Sequence, residues 1–521
     1  VNDKKNKSAA LLVAAGIFLS RIFGLIRESV FAYFFGNSDA ADAFKAALRI
    51  PNFLQNLFGE GVLSASFIPV YSKLLAQEKP EEAKALANAV AGLLSILSSI
   101  IVLLGILFAP FLVTIITPGF EGEKKELAIQ LVRILFPGAG VLVLSAWCLG
   151  ILNSHRKFFL SYCAPVFWNL AIILTLLVAG QQTDGNDLAI ITAWGVLGGS
   201  ALQFLVQLPT TIKLVETFRP SFNLKLASVR LVLKNFFPIV FGRGVVQVSA
   251  YLDALIASFL PSGALATLAY AQIIYLLPIS LFGMSVSAAE LPEMSKTLGT
   301  KEQINEAIKS KLQNGLRQIA FFVIPTAVAF VCLGNIISLA LFQSGEFKEQ
   351  DTLYVWATLS ALSLGLLAAT FSRLYSSAFY ALSNTKTPVK IATIRVTFAA
   401  ALGAAFCFYL PEFLNITPIW GIAGLALGSA AGAFLEFLLL KRALSIELGE
   451  INSEYKFLGL ILFCAVLAAI FGVYLESLII NLSLHRLLSA VIILGGFGVV
   501  YLLLAAVLRI KQARNLLERF W

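Results

Sequence analysis

Residues 20–73 read SRIFGLIRESVFAYFFGNSDAADAFKAALRIPNFLQNLFGEGVLSASFIPVYSK. The stretch is apolar enough to lie in a bilayer, yet it carries Arg21, Arg27, Glu28, Asp42, Lys45 and Arg49. A charge at membrane depth costs about 2.5–3.5 kcal/mol on insertion scales, so it is kept where it meets a partner or a watery cavity. On a helix, Arg21, Gly24 and Glu28 share one face, and Arg27 lies about 100° from Glu28. Gly24 is expected to permit close helix approach or a bend. Asp42, Lys45, Arg49, Asn52 and Asn56 then recur at spacings of three and four, a polar stripe along an otherwise apolar helix. Pro51 interrupts that stripe and predicts a kink. Two spanning helices with inward charges predict a polar chamber inside the membrane. The excess of cations predicts a negatively charged cargo.

The rest of the chain agrees with this setting. Of 521 residues, 59% are hydrophobic and 13% charged, against roughly 25% charged in soluble domains. The apolar material runs from end to end, which predicts an all-α polytopic membrane protein without a large soluble domain. At about 20 apolar residues per span, the chain yields about fourteen transmembrane helices, the second with its core at 41–72. The N-terminus begins like a signal peptide, but Arg21 and Arg27 interrupt its apolar run, so it is read as a retained first span.

An even number of spans puts both termini on one side. Loops assigned to the cytoplasm collect lysine and arginine, as at Lys73, Lys79, Lys84, Arg156, Lys157, Lys213, Arg219, Lys386 and Lys390. The opposite loops GNSDAA and GQQTDGND have none, and Lys124, Lys125, Lys348 and Arg486 are the exceptions. This bias predicts cytoplasmic termini. It also accounts for the net charge of +10 without a nucleic-acid partner.

LFGEGVLSASFIPVYSK at 57–73 echoes LFGMSVSAAELPEMSK at 281–296, and LNSHRK at 152–157 echoes LSNTKT at 382–387. Matching segments enter the bilayer from the same side, which predicts a parallel repeat of two pseudo-symmetric six-helix lobes. The expected divisions are an N-terminal lobe at 1–216, a C-terminal lobe at 217–446 and a C-terminal helix pair at 447–521.

Arg27, Arg49, Arg21 and Arg243 are the candidate substrate-binding residues, because a guanidinium offers paired donors that match phosphate oxygens. Arg243 sits between two glycines in PIVFGRGVVQVSAYLD. Glu28, Asp42, Lys45, Glu60 and Asp253 are candidate gating or structural charges. Arg21–Glu28 and Asp42–Lys45 could instead be internal pairs that only hold helices together. Glu290, Arg373, Arg395 and Glu436 are further intramembrane charges.

No metal and no cofactor is predicted. The five cysteines lie in apolar segments without a C-x-x-C pair and read as buried small hydrophobes, and the two histidines are far apart. The chain has no G-x-x-x-x-G-K-[ST], H-E-x-x-H or G-x-S-x-G motif, so no enzyme is expected. A membrane phosphatase or glycosyltransferase would need an acid or histidine cluster near one face. An assembly scaffold with a vestigial cavity is a further rival.

The 20–73 stretch, with ALSNTKTPVKIA at 381–392, GEFKEQD at 345–351 and the PEMSK segment, resembles the MurJ (MviN) family of lipid II flippases. That family belongs to the multidrug/oligosaccharidyl-lipid/polysaccharide exporter superfamily. The resemblance implies fourteen helices in two six-helix lobes, plus a final pair forming a hydrophobic groove. It implies that Arg27 lines the cavity, that Arg21 is the arginine of the S-R pair, that Asp42 matches an essential second-helix acid, and that Glu60 matches a further acid. Glu28 stands where the family usually has aspartate, and Gln55 where arginine is frequent. Ile273 and Gln272, in YAQIIYLLP, stand where the family has an arginine and an aspartate on the eighth helix. Arg243 on the adjacent helix is expected to supply the missing charge. Ala399 and Gly403 replace polar ion-binding groups of some relatives, so no sodium site using Asp253 is expected.

The resemblance implies a flippase that moves the undecaprenyl-pyrophosphate-linked precursor lipid II across the bacterial cytoplasmic membrane by alternating access. The expected partners are lipid II, membrane lipids and other cell-wall synthesis proteins. The alternatives are a flippase for another lipid-linked oligosaccharide, or a drug/cation antiporter of the same superfamily. An antiporter would want an acidic cavity, and this one reads as basic.

Overall fold

The computed structural model describes residues 2–216, 219, 221–287, 290, 294, 300–451, 454–479 and 484–518. Side chains are described for all of these except 2–15, 60, 237–239, 241–250, 301 and 517. The described residues are helical apart from short turns, and contain no strand. In a bilayer this is the economical solution, because a helix satisfies its backbone polar groups within one segment. The chain forms two compact units, Val1–Ala266 and Thr267–Trp521.

The first unit holds α1 (Asn2–Phe35), α2 (Asp39–Phe58), α3 (Glu60–Ser66), α4 (Ile68–Ala76), α5 (Pro80–Leu107), α6 (Ala109–Ile116), α7 (Gly122–Ser154), α8 (Phe158–Ala179), α9 (Gly185–Val215) and α10 (Ala227–Ala257). Helix α7 is its core. It packs on α2, α5 and α9, and α1 packs on α8. Trp147 on α7 is fully buried and donates to the Ala87 carbonyl of α5 at 3.1 Å.

The expected single span over 41–72 is broken. Helix α2 runs through Pro51 without interruption and ends at Gly59, which opens α3. A Cβ at Gly59 would lie 2.2 Å from the Gln55 carbonyl oxygen, so only glycine permits this break.

Helix α11 (Ala264–Pro278) begins at the end of the first unit and passes into a π-helical turn, Ile279–Met284. The second unit continues with α12 (Lys301–Phe342), α13 (Glu349–Leu364), α14 (Leu366–Ala381), α15 (Lys386–Phe413), α16 (Gly421–Leu448), α17 (Tyr455–Ile479), α18 (Arg486–Val507) and α19 (Lys511–Leu517). Helix α12 is its core, packed by α13, α14, α17 and α18. Tyr501 on α18 donates to the Phe321 carbonyl of α12 at 2.6 Å. Helices α13 and α14 are bent by 43°. The bend falls at Gly365, where a Cβ would come within 2.7 Å of Ala430 Cα on α16.

The first echo places a matched glycine at an irregular point of each unit. Gly59 breaks a helix in one, and Gly283 lies in the π-helical turn of the other. The second echo shifts register. Lys157 N–H bonds to Leu152 O and Arg156 N–H to Asn153 O, while Asn384 N–H bonds to Phe379 O and Ser383 N–H to Tyr380 O. Arg156 and Ser383 are both left-handed, so the structure pairs Arg156 with Ser383 and not with Lys386.

Ten helices are long and apolar enough to cross a membrane, or eleven if the bent pair α13–α14 counts as one, among the described residues. Their outward faces carry large apolar side chains, such as Val178, Phe413, Val491 and Val507. Lipid tails are the solvent that such faces require. The cysteines are free thiols. Cys148, Cys407 and Cys464 are buried and Cys163 is half-buried, but Cys332 is exposed, contrary to the reading of all five as buried.

Candidate functional site: charges within the first unit

Two clusters organise the charges of α1 and α2. In the first, Glu28 on α1 is buried and accepts from both Arg27 and Lys45. Arg27 Nη1 also donates to Asn169 Oδ1 on α8 at 3.1 Å, and its guanidinium stacks 4.8 Å from the centre of the Trp168 ring. Asn169 is held for this task, since its Nδ2 donates to the Pro165 carbonyl at 3.0 Å. Trp168 is fixed by Ser200, at 3.2 Å from its Nε1. The Lys45 ammonium lies 4.0 Å from the Phe31 ring centre. Such packing holds cations on aromatic faces where water is scarce.

Arg49 lies one turn beyond Lys45 on α2. It is partly buried and electrostatically coupled to Asp253 on α10. Its backbone carbonyl accepts from Tyr251 Oη at 3.1 Å. Arg27, Lys45 and Arg49 therefore face Glu28 and Asp253, and the described charges sum to a positive excess. A net positive group within apolar helices is suited to receive an anion.

The second cluster lies at the start of α2. Asp42 is 1% exposed and accepts from the backbone N–H of Gly263 and of Ala266, each at 2.8 Å. Its carboxylate thus caps the N-terminus of α11, the end that favours negative charge. Lys124 Nζ at the start of α7 stands 2.7 Å from Asp42 and 2.8 Å from Asp39. Gly263 has φ +87°, and a Cβ there would meet the Asn37 carbonyl oxygen at 2.5 Å. This cluster reads as a latch between α2, α7 and the α11 N-terminus.

The candidate residues are thus distributed unevenly. Arg27, Glu28 and Lys45 meet directly, with Arg49 and Asp253 beside them. Asp42 belongs to a separate cluster, so the polar stripe of α2 serves two sites. Arg21 is exposed on α1. The side chains of Arg243 and Glu60 lie outside the described ones. The pairings Arg21–Glu28 and Asp42–Lys45 give way to Arg27–Glu28–Lys45 and Asp42–Lys124. Gly24 does not mark a close approach: a Cβ there would meet open space, whereas one at Gly16 would lie 2.8 Å from Tyr162 Cβ on α8.

Lys124, Trp168 and Asn169 were not singled out from the sequence. Lys124 had one signal, as a lysine that broke the charge bias of its loop. Asn169 had another, as an amide inside the apolar run FWNLAII. Among the described residues, no group of three or more His, Cys, Asp and Glu is arranged to hold a metal.

Two helical units with lipid-facing exteriors, and a cationic cluster buried among spanning helices, are the make-up of a multi-pass membrane transporter. A family model described as lipid II flippase MurJ matches residues 31–494. A probable lipid II flippase MurJ of Vibrio cholerae is 30% identical, over 85% of this chain and 84% of its own. That of Rickettsia prowazekii is 30% identical, over 95% and 97%. A solved structure titled lipid II flippase MurJ, inward closed conformation, is 27% identical with a TM-score of 0.76, covering 97% of this chain and all of its own. The chain belongs to the lipid II flippase MurJ family.

Proposed function

We propose that this protein is a lipid II flippase of the bacterial cytoplasmic membrane, a transporter and not an enzyme. It moves the undecaprenyl-pyrophosphate-linked peptidoglycan precursor from the inner to the outer leaflet. The observation that carries this reading is the buried Arg27–Glu28–Lys45 network with its positive excess, in a chain of this family. Phosphate oxygens compete with the Glu28 carboxylate for the same donors, and guanidinium takes them in paired geometry. Arg49 adds a further cation at that depth. Arg21, exposed on α1, and Arg243 complete the proposed set of cargo-binding arginines. Asp42 acts as the latch that holds α11 until the cargo is loaded.

The topology proposed with this function has fourteen spans. Ten qualify by length and apolarity, the bent pair adds one, and α1, α2 and α10 complete the count. Both termini are placed on the cytoplasmic side, a reading supported by the lysine and arginine bias of the loops. The lobes are 1–216 and 217–446, and residues 447–521 form the terminal helix pair along which the prenyl tail lies. Alternating access exposes the head group to each side in turn. Carrying negative charge outward is downhill in an inside-negative membrane, by about 2.3 kcal/mol per charge per 100 mV, so the membrane potential is the proposed driving force. Membrane lipids and other cell-wall synthesis proteins are the further partners.

The test follows fluorescent lipid II between leaflets of vesicles containing the purified chain, with and without a potential. Arg27→Ala is expected to slow translocation at least about tenfold while leaving the protein folded. Parent-like rates for both Arg27→Ala and Arg49→Ala would remove the cationic cluster from the mechanism.

A further inference from the structure

The second unit contains a charged cluster of its own. Arg373 on α14, Arg395 on α15 and Glu436 on α16 lie within apolar spanning helices, together with Tyr275 on α11. Arg395 Nε stands 3.6 Å from Glu436 Oε2, beyond hydrogen-bond length, and it is buried without a hydrogen-bond partner. The charges of Arg373, Arg395 and Glu436 act on one another and on the Tyr275 hydroxyl. Helix α14 packs on α16, α16 on α15, and the π-helical turn that follows α11 packs on α14. A Cβ on Gly283 in that turn would meet Arg373 Cδ at 3.9 Å.

Depth makes this cluster costly. Counted at about 1.5 Å per residue, Arg373 lies about 12 Å from the C-terminal end of α14. Arg395 lies about 14 Å from the start of α15, and Glu436 about 18 Å from the end of α16. The three charges thus sit at similar depths, near the middle of a hydrocarbon core about 30 Å thick. Among the described residues, two guanidiniums share one carboxylate, and the Arg395–Glu436 pair is loose. A purely structural set would be expected to balance its charges and satisfy its buried donors. Arg373 is exposed although it lies mid-helix within the unit, so its side chain is not enclosed by its neighbours.

We propose that Arg373 and Arg395, with Glu436 as resident counter-ion and Tyr275 as a hydroxyl donor, form a second anion site that takes phosphate oxygens of the cargo. The inference rests on the flippase reading and deepens it. It gives the second unit cationic groups of its own. An incoming phosphate displaces Glu436 from Arg395, and both guanidiniums then hold phosphate oxygens by charge-assisted hydrogen bonds. Glu436 keeps the empty site from binding small anions tightly.

The test measures binding of lipid II, and of undecaprenol as a phosphate-free control, to the purified full-length chain in nanodiscs. Arg373→Ala and Arg395→Ala are each expected to weaken lipid II binding about tenfold and to leave undecaprenol binding unchanged. Glu436→Gln is expected to tighten lipid II binding, because it removes the competitor while keeping the side chain's shape. A merely structural role predicts a lower melting temperature for Glu436→Gln and no gain in affinity, which would overturn the proposal. If an alanine variant fails to fold, Arg373→Lys and Arg395→Lys retain charge but lose the paired donors. They are expected to bind more weakly than the parent, and parent-like binding by both would equally overturn the site. Loss of binding in Arg27→Ala with none in the second-unit variants would remove this site alone. Absence of lipid II binding by the parent would instead remove the flippase reading itself.

Discussion

Lys124 at the start of α7 reaches Asp42 on α2 at 2.7 Å, and only 2% of the Asp42 side chain meets solvent. The same carboxylate receives two backbone N–H groups at the N-terminus of α11. One buried acid therefore joins three helices, and its charge is balanced by a single lysine that also touches Asp39. Removing one partner of a buried pair is more damaging than removing both, because an uncompensated charge is left behind. Lys124→Ala is expected to cost about 3 kcal/mol. Asp42→Asn combined with Lys124→Ala should be less destabilising than the sum of the single variants. Thermal melts of the four proteins of the double-mutant cycle measure the coupling, and simple additivity would show that the pair is not coupled.

Glu28 on α1 serves two cations, Arg27 and Lys45. Glu28→Gln removes the charge that Arg27 and Lys45 share, leaving two buried cations with no carboxylate between them. Loss of translocation is expected for Glu28→Gln, along with a lower melting temperature. Glu28→Asp keeps the charge and should retain measurable translocation. The leaflet assay reads both, and equal activity of the two variants would show that charge at this position is not required.

Gly428 on α16 marks a close approach of two spanning helices. A Cβ there would lie 2.3 Å from Gly403 Cα on α15, and neighbouring contacts involve Ala399 and Gly432. Small residues let helix backbones approach in a membrane, where packing replaces the hydrophobic effect as the driving force. Gly428→Ala must push the helices apart and is expected to cost about 1–3 kcal/mol. Gly459 and Gly495 face open space. Alanine at either should be neutral or stabilising, by up to about 1 kcal/mol, through helix propensity. Detergent melting temperatures separate the two classes, and a neutral Gly428→Ala would show that the crossing is loose.

His155 follows α7 in the turn before α8, where its Nε2 lies 3.1 Å from the Tyr71 hydroxyl. Burial pushes its pKa below the ordinary value of 6.5. The folded state therefore binds the proton less readily than the unfolded state. The stabilising contribution is complete above the ordinary histidine range, and it is lost as pH falls through that range toward the lowered folded value. Melting temperature is expected to fall between about pH 7 and pH 5. His155→Gln should flatten that dependence, and an unchanged slope would assign it to other groups.

Much of the chemistry was legible in the order of residues because charges in apolar helices are rare. Arg27, Glu28, Lys45 and Arg49 stood out on that ground alone, and all lie in or beside the first cluster. Their partners were not legible. Spacing of three and four residues shows which side chains share a helix face, but it does not say which helix that face meets. Glu28 thus appeared to suit Arg21, one face-mate away, whereas Lys45 from the next helix reaches it. Gly24 and Gly16 look alike in sequence, and only the approach of Tyr162 distinguishes them. Ala399 and Gly403 read as the loss of an ion site. In the fold they make room for α16.

The amino-acid order alone determined that this chain lives in a bilayer, that it is helical, and that it carries cations where lipid should repel them. Those outcomes follow from transfer free energies and backbone hydrogen bonding, which depend on local composition. Tertiary structure decided how the charges divide into an Arg27–Glu28–Lys45 group, an Asp42–Lys124 latch and an Arg373–Arg395–Glu436 group. Coulomb energy depends on distances between helices remote in sequence, and those distances are set by glycine contacts and side-chain packing that no single segment encodes.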